Sequence, residues 1–192
     1  IRAKVVTPEA LPDAVELQVP GAHNRYNAAL AMAATQAYGV SEECIFSTLR
    51  SFKGLEGRLE LVQEKDGIRF YNDTNSTTPE AALVALKALG EKRNIVLIMG
   101  GHDKGLDMSL LIEELPRYTK RVIMLAGSGT NRILPLLQGA SVYDNLKEAF
   151  DEAVRSAESG DVVLMSPAFA SFGVFRNEYD RGDQFVALAK TV

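Results

Sequence analysis

Four polar stretches carry the residue types that could hold an anionic or carboxylate ligand. They are Asn72-Asp73-Thr74-Asn75-Ser76-Thr77-Thr78, Gly100-Gly101-His102-Asp103-Lys104-Gly105-Leu106-Asp107, Ala126-Gly127-Ser128-Gly129-Thr130-Asn131 and Ser166-Pro167-Ala168-Phe169-Ala170-Ser171-Phe172. In the first, Asp73 suits nucleotide or metal-water contacts and Thr77 a donor to a carboxylate at a helix N-terminus. One helix cap needs only one such residue, so seven polar residues in a row exceed a purely capping role. In the second, paired glycines let backbone approach a ligand, and Lys104 supplies a compact positive charge. The competing account there is a glycine turn with solvated charges, and a lone loop histidine such as His102 is more often polar surface. The third is a weak match to a dinucleotide loop and reads better as a tight turn plus helix cap, without a site role. In the fourth, Ser166 and Ser171 could hold a carboxylate while Phe172 covers its aliphatic part.

Other chemistries are disfavoured. No G-x-x-x-x-G-K-[S/T] phosphate loop occurs in the chain, and no G-x-S-x-G elbow surrounds either serine. His23 and His102 are the only histidines available as bases, and Cys44 is the only cysteine, which excludes a disulfide framework and a cysteine metal cluster. Asn24 and Asn27, at i and i+3, share one helix face and could read a base edge or simply face water. Arg58, after a glycine joint, could clamp a phosphate or lie on the surface.

These residues must be positioned by a regular frame. Apolar runs at 95–99, 121–126 and 162–165, with a brief strand at Val142, alternate with helical patterns at 79–89, 109–115, 131–137 and 145–159, and a last helix runs to the C-terminus. Continuous apolar strands between amphipathic helices imply an α/β fold, a Rossmann-like, mostly parallel sheet with helices on both faces. Right-handed crossovers then bring every strand-to-helix loop to one edge, where ligands bind in such sheets. A hairpin is expected from 58–63 and 68–71 through Lys65-Asp66-Gly67. Before it, a short strand is expected at 15–19, an alanine-rich helix over 21–38 ended by Gly39, and a further helix from Ser41-Glu42-Glu43. The glycine-punctuated stretch 51–57 marks a domain boundary.

Composition sets the remaining bounds. Apolar content of 46% and charged content of 24% fit a globular chain, and a net charge of −4 without a basic stripe disfavours nucleic-acid binding. No apolar run approaches the roughly 20 residues of a membrane-spanning helix. A reducing, cytoplasmic setting is expected. The chain shows no signal peptide and starts without an initiator methionine, which fits a processed or truncated product.

The pieces then match a family. Gly21-Ala22-His23-Asn24 with Asn27, Arg58-Leu59-Glu60, Tyr71-Asn72-Asp73-Thr74 with Thr77, Gly100-Gly101-x-Asp103-Lys104-Gly105, and Ser166-Pro167-Ala168-x-Ala170-Ser171-Phe172-x-x-Phe175-Arg176-Asn177 with Arg181-Gly182-Asp183 resemble, in order, the Mur ligases. These are the ATP-dependent amide-bond ligases of peptidoglycan synthesis. The Gly-Gly-x-Asp-Lys-Gly and Ser-Pro-Ala-x-Ala-Ser elements point to the D-glutamate-adding type, and the Asp-Asn-Pro-Arg element of the diaminopimelate- or lysine-adding type is absent.

The resemblance implies that residues 1–50 are the helical end of a central ATP-binding domain and 51–192 a C-terminal domain that binds the amino acid and closes over ATP. It implies a two-step reaction: ATP phosphorylates the L-alanine carboxylate of UDP-N-acetylmuramoyl-L-alanine, and the amine of D-glutamate displaces phosphate from the acyl phosphate. By the same resemblance Asn27 would contact adenine, Arg58 and Asp73 would sit at the ribose and phosphates, and Thr77, Lys104, Ser171 and Phe172 would hold D-glutamate. The phosphate loop and the Mg²⁺ ligands of such enzymes have no counterpart in this chain, so it is expected to be inactive alone. The chain departs from the family pattern at Gly57, where His is frequent, at Asn75, where Lys is frequent, and at Glu178, where an aromatic residue often encloses D-glutamate. Two further readings are another amino-acid-adding Mur ligase and a non-catalytic α/β module that binds a small acidic ligand or a partner protein.

Overall fold

The computed structural model describes residues 7–90 and 93–192. The chain divides into two compact units, Ile1–Gly54 and Leu55–Val192.

In the first unit, α1 (Ala22–Ala37) and α2 (Glu42–Ser51) pack around Leu11, Val15, Ala28, Ala29, Met32 and Ile45. Gly21 starts α1 with φ 96°, and the Ser41 side chain caps α2 by accepting from the Cys44 N–H. The strand expected at 15–19 does not form. Its alternation has another cause: Val15 is buried in the small core, its N–H donates to the Pro12 carbonyl at 2.9 Å, and Arg25 donates to the Leu11 carbonyl at 2.8 Å. With turn and guanidinium bonds of this kind, no neighbouring strand is needed to satisfy the backbone.

The second unit is one six-stranded sheet in the order β1-β2-β6-β3-β4-β5. Its strands are β1 (Glu60–Lys65), β2 (Ile68–Asn72), β3 (Ile95–Gly100), β4 (Thr119–Leu125), β5 (Ser141–Tyr143) and β6 (Val162–Met165). The edge strand β1 is antiparallel to β2, and every other pairing is parallel. The hairpin turn is Asp66-Gly67, with φ of 52° and 78°, the left-handed pair that suits the twist of the flanking strands.

Alternation along the central strands divides the core between the two faces. Leu97, Met99, Met124 and Leu164 face α3 (Pro79–Leu89), α4 (Ser109–Tyr118) and α5 (Ser128–Ile133). Val96, Ile98, Ile123 and Val163 face α6 (Leu146–Ser156) and α7 (Glu178–Ala189). The helix expected at 131–137 begins earlier, at Ser128, and gives way to a 3₁₀ turn over Leu134–Leu136, where Pro135 interrupts the α pattern.

Strands β2, β6, β3 and β4 all run the same way, so the loops at 72–78, 166–175, 100–107 and 126–131 meet at one sheet edge. No helix among the described residues is long and apolar enough to cross a membrane.

Candidate functional site

The loop after β6 is the hub of that edge. The Gly100 N–H donates to the Pro167 carbonyl at 2.9 Å, and the Ala168 N–H donates to the Ser76 carbonyl at 2.9 Å. His102 and Ala170 exchange both backbone bonds of an antiparallel bridge, at 2.9 and 3.2 Å. Ala168 has φ 59°, a left-handed turn that these bonds hold in place. Gly101 is required where it stands: with φ 135°, a Cβ on it would lie 2.4 Å from the Ala170 carbonyl oxygen. The loops that follow β2, β6 and β3 are therefore one hydrogen-bonded surface.

Lys104 and Thr77 meet on it. The Lys104 ammonium donates to Thr77 Oγ1 at 3.2 Å, and both side chains reach solvent. The neighbouring acid is turned away: Asp103 Oδ2 pairs with Arg132 at 2.8 Å. The Gly105 N–H and then Arg132 hold the Asp103 carboxyl below its usual range. Among the described residues no carboxylate lies within salt-bridge distance of Lys104.

Ser171 follows the Ala170 bridge directly. It is buried, and its hydroxyl bonds to no side chain or backbone group among the described residues. Phe172 is 63% exposed, with its ring edge-on to His102 at 6.1 Å between centroids. His102 Nδ1 lies 3.3 Å from Ser128 Oγ. The histidine thus props Phe172 from the side, a role that depends on the bridge and that no spacing rule would have singled out.

Asp73 and Arg58 form a second cluster. Asp73 is buried; its Oδ1 accepts from the Leu59 N–H at 3.1 Å and its Oδ2 from Ser166 Oγ at 2.7 Å. Burial pushes the Asp73 carboxyl up to about 6, against the Ser76, Ser166 and Leu59 bonds and the Arg58 charge, which pull it down. The carboxylate is turned inward and fixes the backbone of Leu59. Its neighbour Arg58 is exposed, and no hydrogen bond to its side chain forms among the described residues. Asn27 lies on the exposed surface of α1 in the first unit, while Asn24 donates to the Pro20 carbonyl at 2.7 Å.

The departures at Gly57 and Asn75 fit one another. Gly57 has φ 68°, and a Cβ on it would lie 2.9 Å from both Asn75 Nδ2 and Thr74 Cγ2. The Asn75 N–H donates to the Gly57 carbonyl at 3.1 Å, and its side chain to the Glu56 carbonyl at 3.2 Å. A bulky residue at 57 would have to displace the loop that carries Thr74.

Arg181 and Thr74 carry no role in a reading by motif spacing, yet both are buried at the centre of this edge. The available signal was an Arg-Gly pair inside a helix. Glycine there costs roughly 1 kcal/mol, so it implies a close approach. A Cβ on Gly182 would indeed lie 2.7 Å from Thr74 Cγ2.

Residues 57–169 match the family described as Mur ligase, glutamate ligase domain. The chain is 40% identical over 177 residues to the UDP-N-acetylmuramoylalanine–D-glutamate ligase of Roseiflexus sp. (strain RS-1), covering 88% of this chain and 38% of that protein. It is 41% identical over 176 residues to the enzyme of the same name from Pelotomaculum thermopropionicum, covering 88% and 38%. The chain therefore spans about two fifths of the length of these relatives. Among solved structures it shares the fold of the UDP-N-acetylmuramate-alanine ligase from Thermotoga maritima, with a TM-score of 0.67, 21% identity and coverage of 91% and 39%. The MurF ligase of the same organism, solved in complex with ADP, gives a TM-score of 0.66 at 18% identity, covering 90% and 38%. With a six-stranded, mostly parallel sheet, polar loops gathered at one edge and a family match over more than half its length, this chain belongs to the Mur ligase family.

Proposed function

We propose that the chain is the amino-acid-binding part of an ATP-dependent ligase that adds D-glutamate to UDP-N-acetylmuramoyl-L-alanine in peptidoglycan synthesis. The observation that carries this reading is the Lys104–Thr77 contact, a cation and a hydroxyl from separate loops with no acid within salt-bridge distance of the cation among the described residues. A dicarboxylate amino acid needs such a pair, and the loop after β6, at the same sheet edge, offers the Ser171 hydroxyl and the exposed Phe172 ring. Relatives at about 40% identity, named for D-glutamate, support the choice of amino acid.

In this reading Lys104 and Thr77 bind one carboxylate of D-glutamate, Ser171 contributes a further hydroxyl, and Phe172 covers the methylenes. Together they orient the amine for attack on the activated L-alanine carboxyl. In this reading residues 51–192 are the C-terminal domain, and residues 1–50 are the end of the central ATP-binding domain. ATP supplies the phosphoryl group that activates the carboxyl, with Mg²⁺ as its partner in the complete enzyme. Arg58 fits a phosphate, being an exposed cation whose side chain makes no hydrogen bond or salt bridge among the described residues. Asp73 fits as the group that sets the backbone beside Arg58, and Asn27 as an adenine contact. The chain alone is inactive, and the complete enzyme works in the cytoplasm.

The test is an amino-acid panel. The complete gene product is given ATP, Mg²⁺ and UDP-N-acetylmuramoyl-L-alanine with D-glutamate, L-lysine or diaminopimelate, and phosphate release is measured. Release that depends on D-glutamate is expected. Turnover with L-lysine or diaminopimelate but not with D-glutamate would overturn the reading in favour of another amino-acid-adding ligase.

A further inference from the structure

Arg181 is fully buried in the first turn of α7 and forms no salt bridge among the described residues. Its bonds go to oxygens of the two loops. Nε donates to Thr74 Oγ1 at 3.0 Å, and the terminal nitrogens donate to the Thr74 carbonyl at 2.8 Å and the Phe169 carbonyl at 3.4 Å. Thr74 Oγ1 in turn donates to the Glu178 carbonyl at 2.9 Å, so its proton is committed and a lone pair faces the guanidinium. The Phe175 ring lies 5.9 Å from the guanidinium carbon. Burial lowers the Arg181 guanidinium to about 10, with Glu178 pulling the other way, so it remains charged at neutral pH.

A buried cation with no salt-bridge partner carries a desolvation cost, which here its hydrogen bonds to the two loops help to offset. Thr74 is three residues before Thr77, and Phe169 is two before Ser171. The planar fork of the guanidinium bonds both loops through three nitrogens in one fixed geometry, which the rotatable donors of an ammonium do not impose. We propose that Arg181 is the positioning residue of this site: it ties the loop bearing Thr77 to the loop bearing Ser171 and sets the spacing of the groups that hold the amino acid. This rests on the assignment of those two residues to the amino-acid site.

Three variants test it. Arg181→Lys keeps the charge and loses the fork. Thr74→Val keeps the shape and loses the oxygen, and it decides the matter should Arg181→Lys fail to fold. Thr74→Ser restores the oxygen. Hydrogen–deuterium exchange of the chain reads the tie without any ligand. Amides at 73–78 and 168–173 should exchange about tenfold faster or more in Thr74→Val and Arg181→Lys, as expected for lost bonds to a charged group, and at the wild-type rate in Thr74→Ser. Amides at 123–125 should not change. Equal acceleration everywhere, or no change in either loop, would overturn the proposal. In the complete gene product the KM for D-glutamate should rise about tenfold in the same two variants while that for ATP stays within about threefold. A fall in kcat with both KM values unchanged would contradict positioning. If the wild type instead uses another amino acid, the substrate assignment fails and the exchange result still decides the tie.

Discussion

The Lys104 ammonium lies 3.2 Å from Thr77 Oγ1, although the two belong to loops that follow strands β3 and β2, which are not neighbours in the sheet. Strand β6 lies between them in the sheet, and the loop after it carries Ser171 and Phe172. The contact therefore crosses the hub of the site. It is exposed and worth little to stability on its own, so its value lies in what could replace it. A ligand carboxylate entering between the two side chains would accept from both.

Phe172 separates binding from stability. Its side chain is largely exposed, so Phe172→Ala should shift the folding free energy by less than about 0.5 kcal/mol. If the ring covers the two methylenes of D-glutamate, the KM should rise about five- to tenfold. A thermal melt and a D-glutamate titration of the complete gene product check the two halves together. A large loss of stability would show that the ring is a structural prop.

Asp73 makes stability depend on pH. Its carboxyl is raised from 3.8 to about 6 by burial, so the folded state holds the proton more tightly than the unfolded chain. This contribution is fully present below about pH 4 and is lost as pH rises through about 6. Asp73→Asn cannot ionise. The thermal midpoint of the wild type should therefore fall relative to Asp73→Asn between about pH 4 and 7. A constant difference across that window would contradict the buried, raised carboxyl.

Two glycines in one loop should behave differently. A Cβ at Gly101 would meet the Ala170 oxygen at 2.4 Å, while at Gly105 nothing lies within 4 Å and only the φ of 69° is unfavourable. Gly101→Ala should cost roughly 2–4 kcal/mol, combining overpacking with strain, and Gly105→Ala only about 1–2 kcal/mol. Denaturant midpoints of the two variants check the order.

Where signals were local, the sequence was a good guide. Helix α3 starts at Pro79 after Thr78 and ends before Gly90, as its cap, proline and glycine require. The common edge of the loops follows from parallel strands and right-handed crossovers. The strand expected at 15–19 failed because period-two alternation cannot tell a sheet from a turn pinned by a distant guanidinium, here Arg25. Arg181 and His102 were illegible for the same reason: their partners, Thr74, Phe169 and Ala170, lie 107, 12 and 68 residues away in sequence. Such bonds exist only once the sheet has set the loops side by side.

The most direct test of the account is the steady-state kinetics of Lys104→Met in the complete gene product, set against the wild type. Loss of a cation that binds a carboxylate should raise the D-glutamate KM about tenfold or more, with the KM for ATP within about threefold and the melting temperature unchanged. An unchanged D-glutamate KM would remove Lys104 from the amino-acid site and contradict the account.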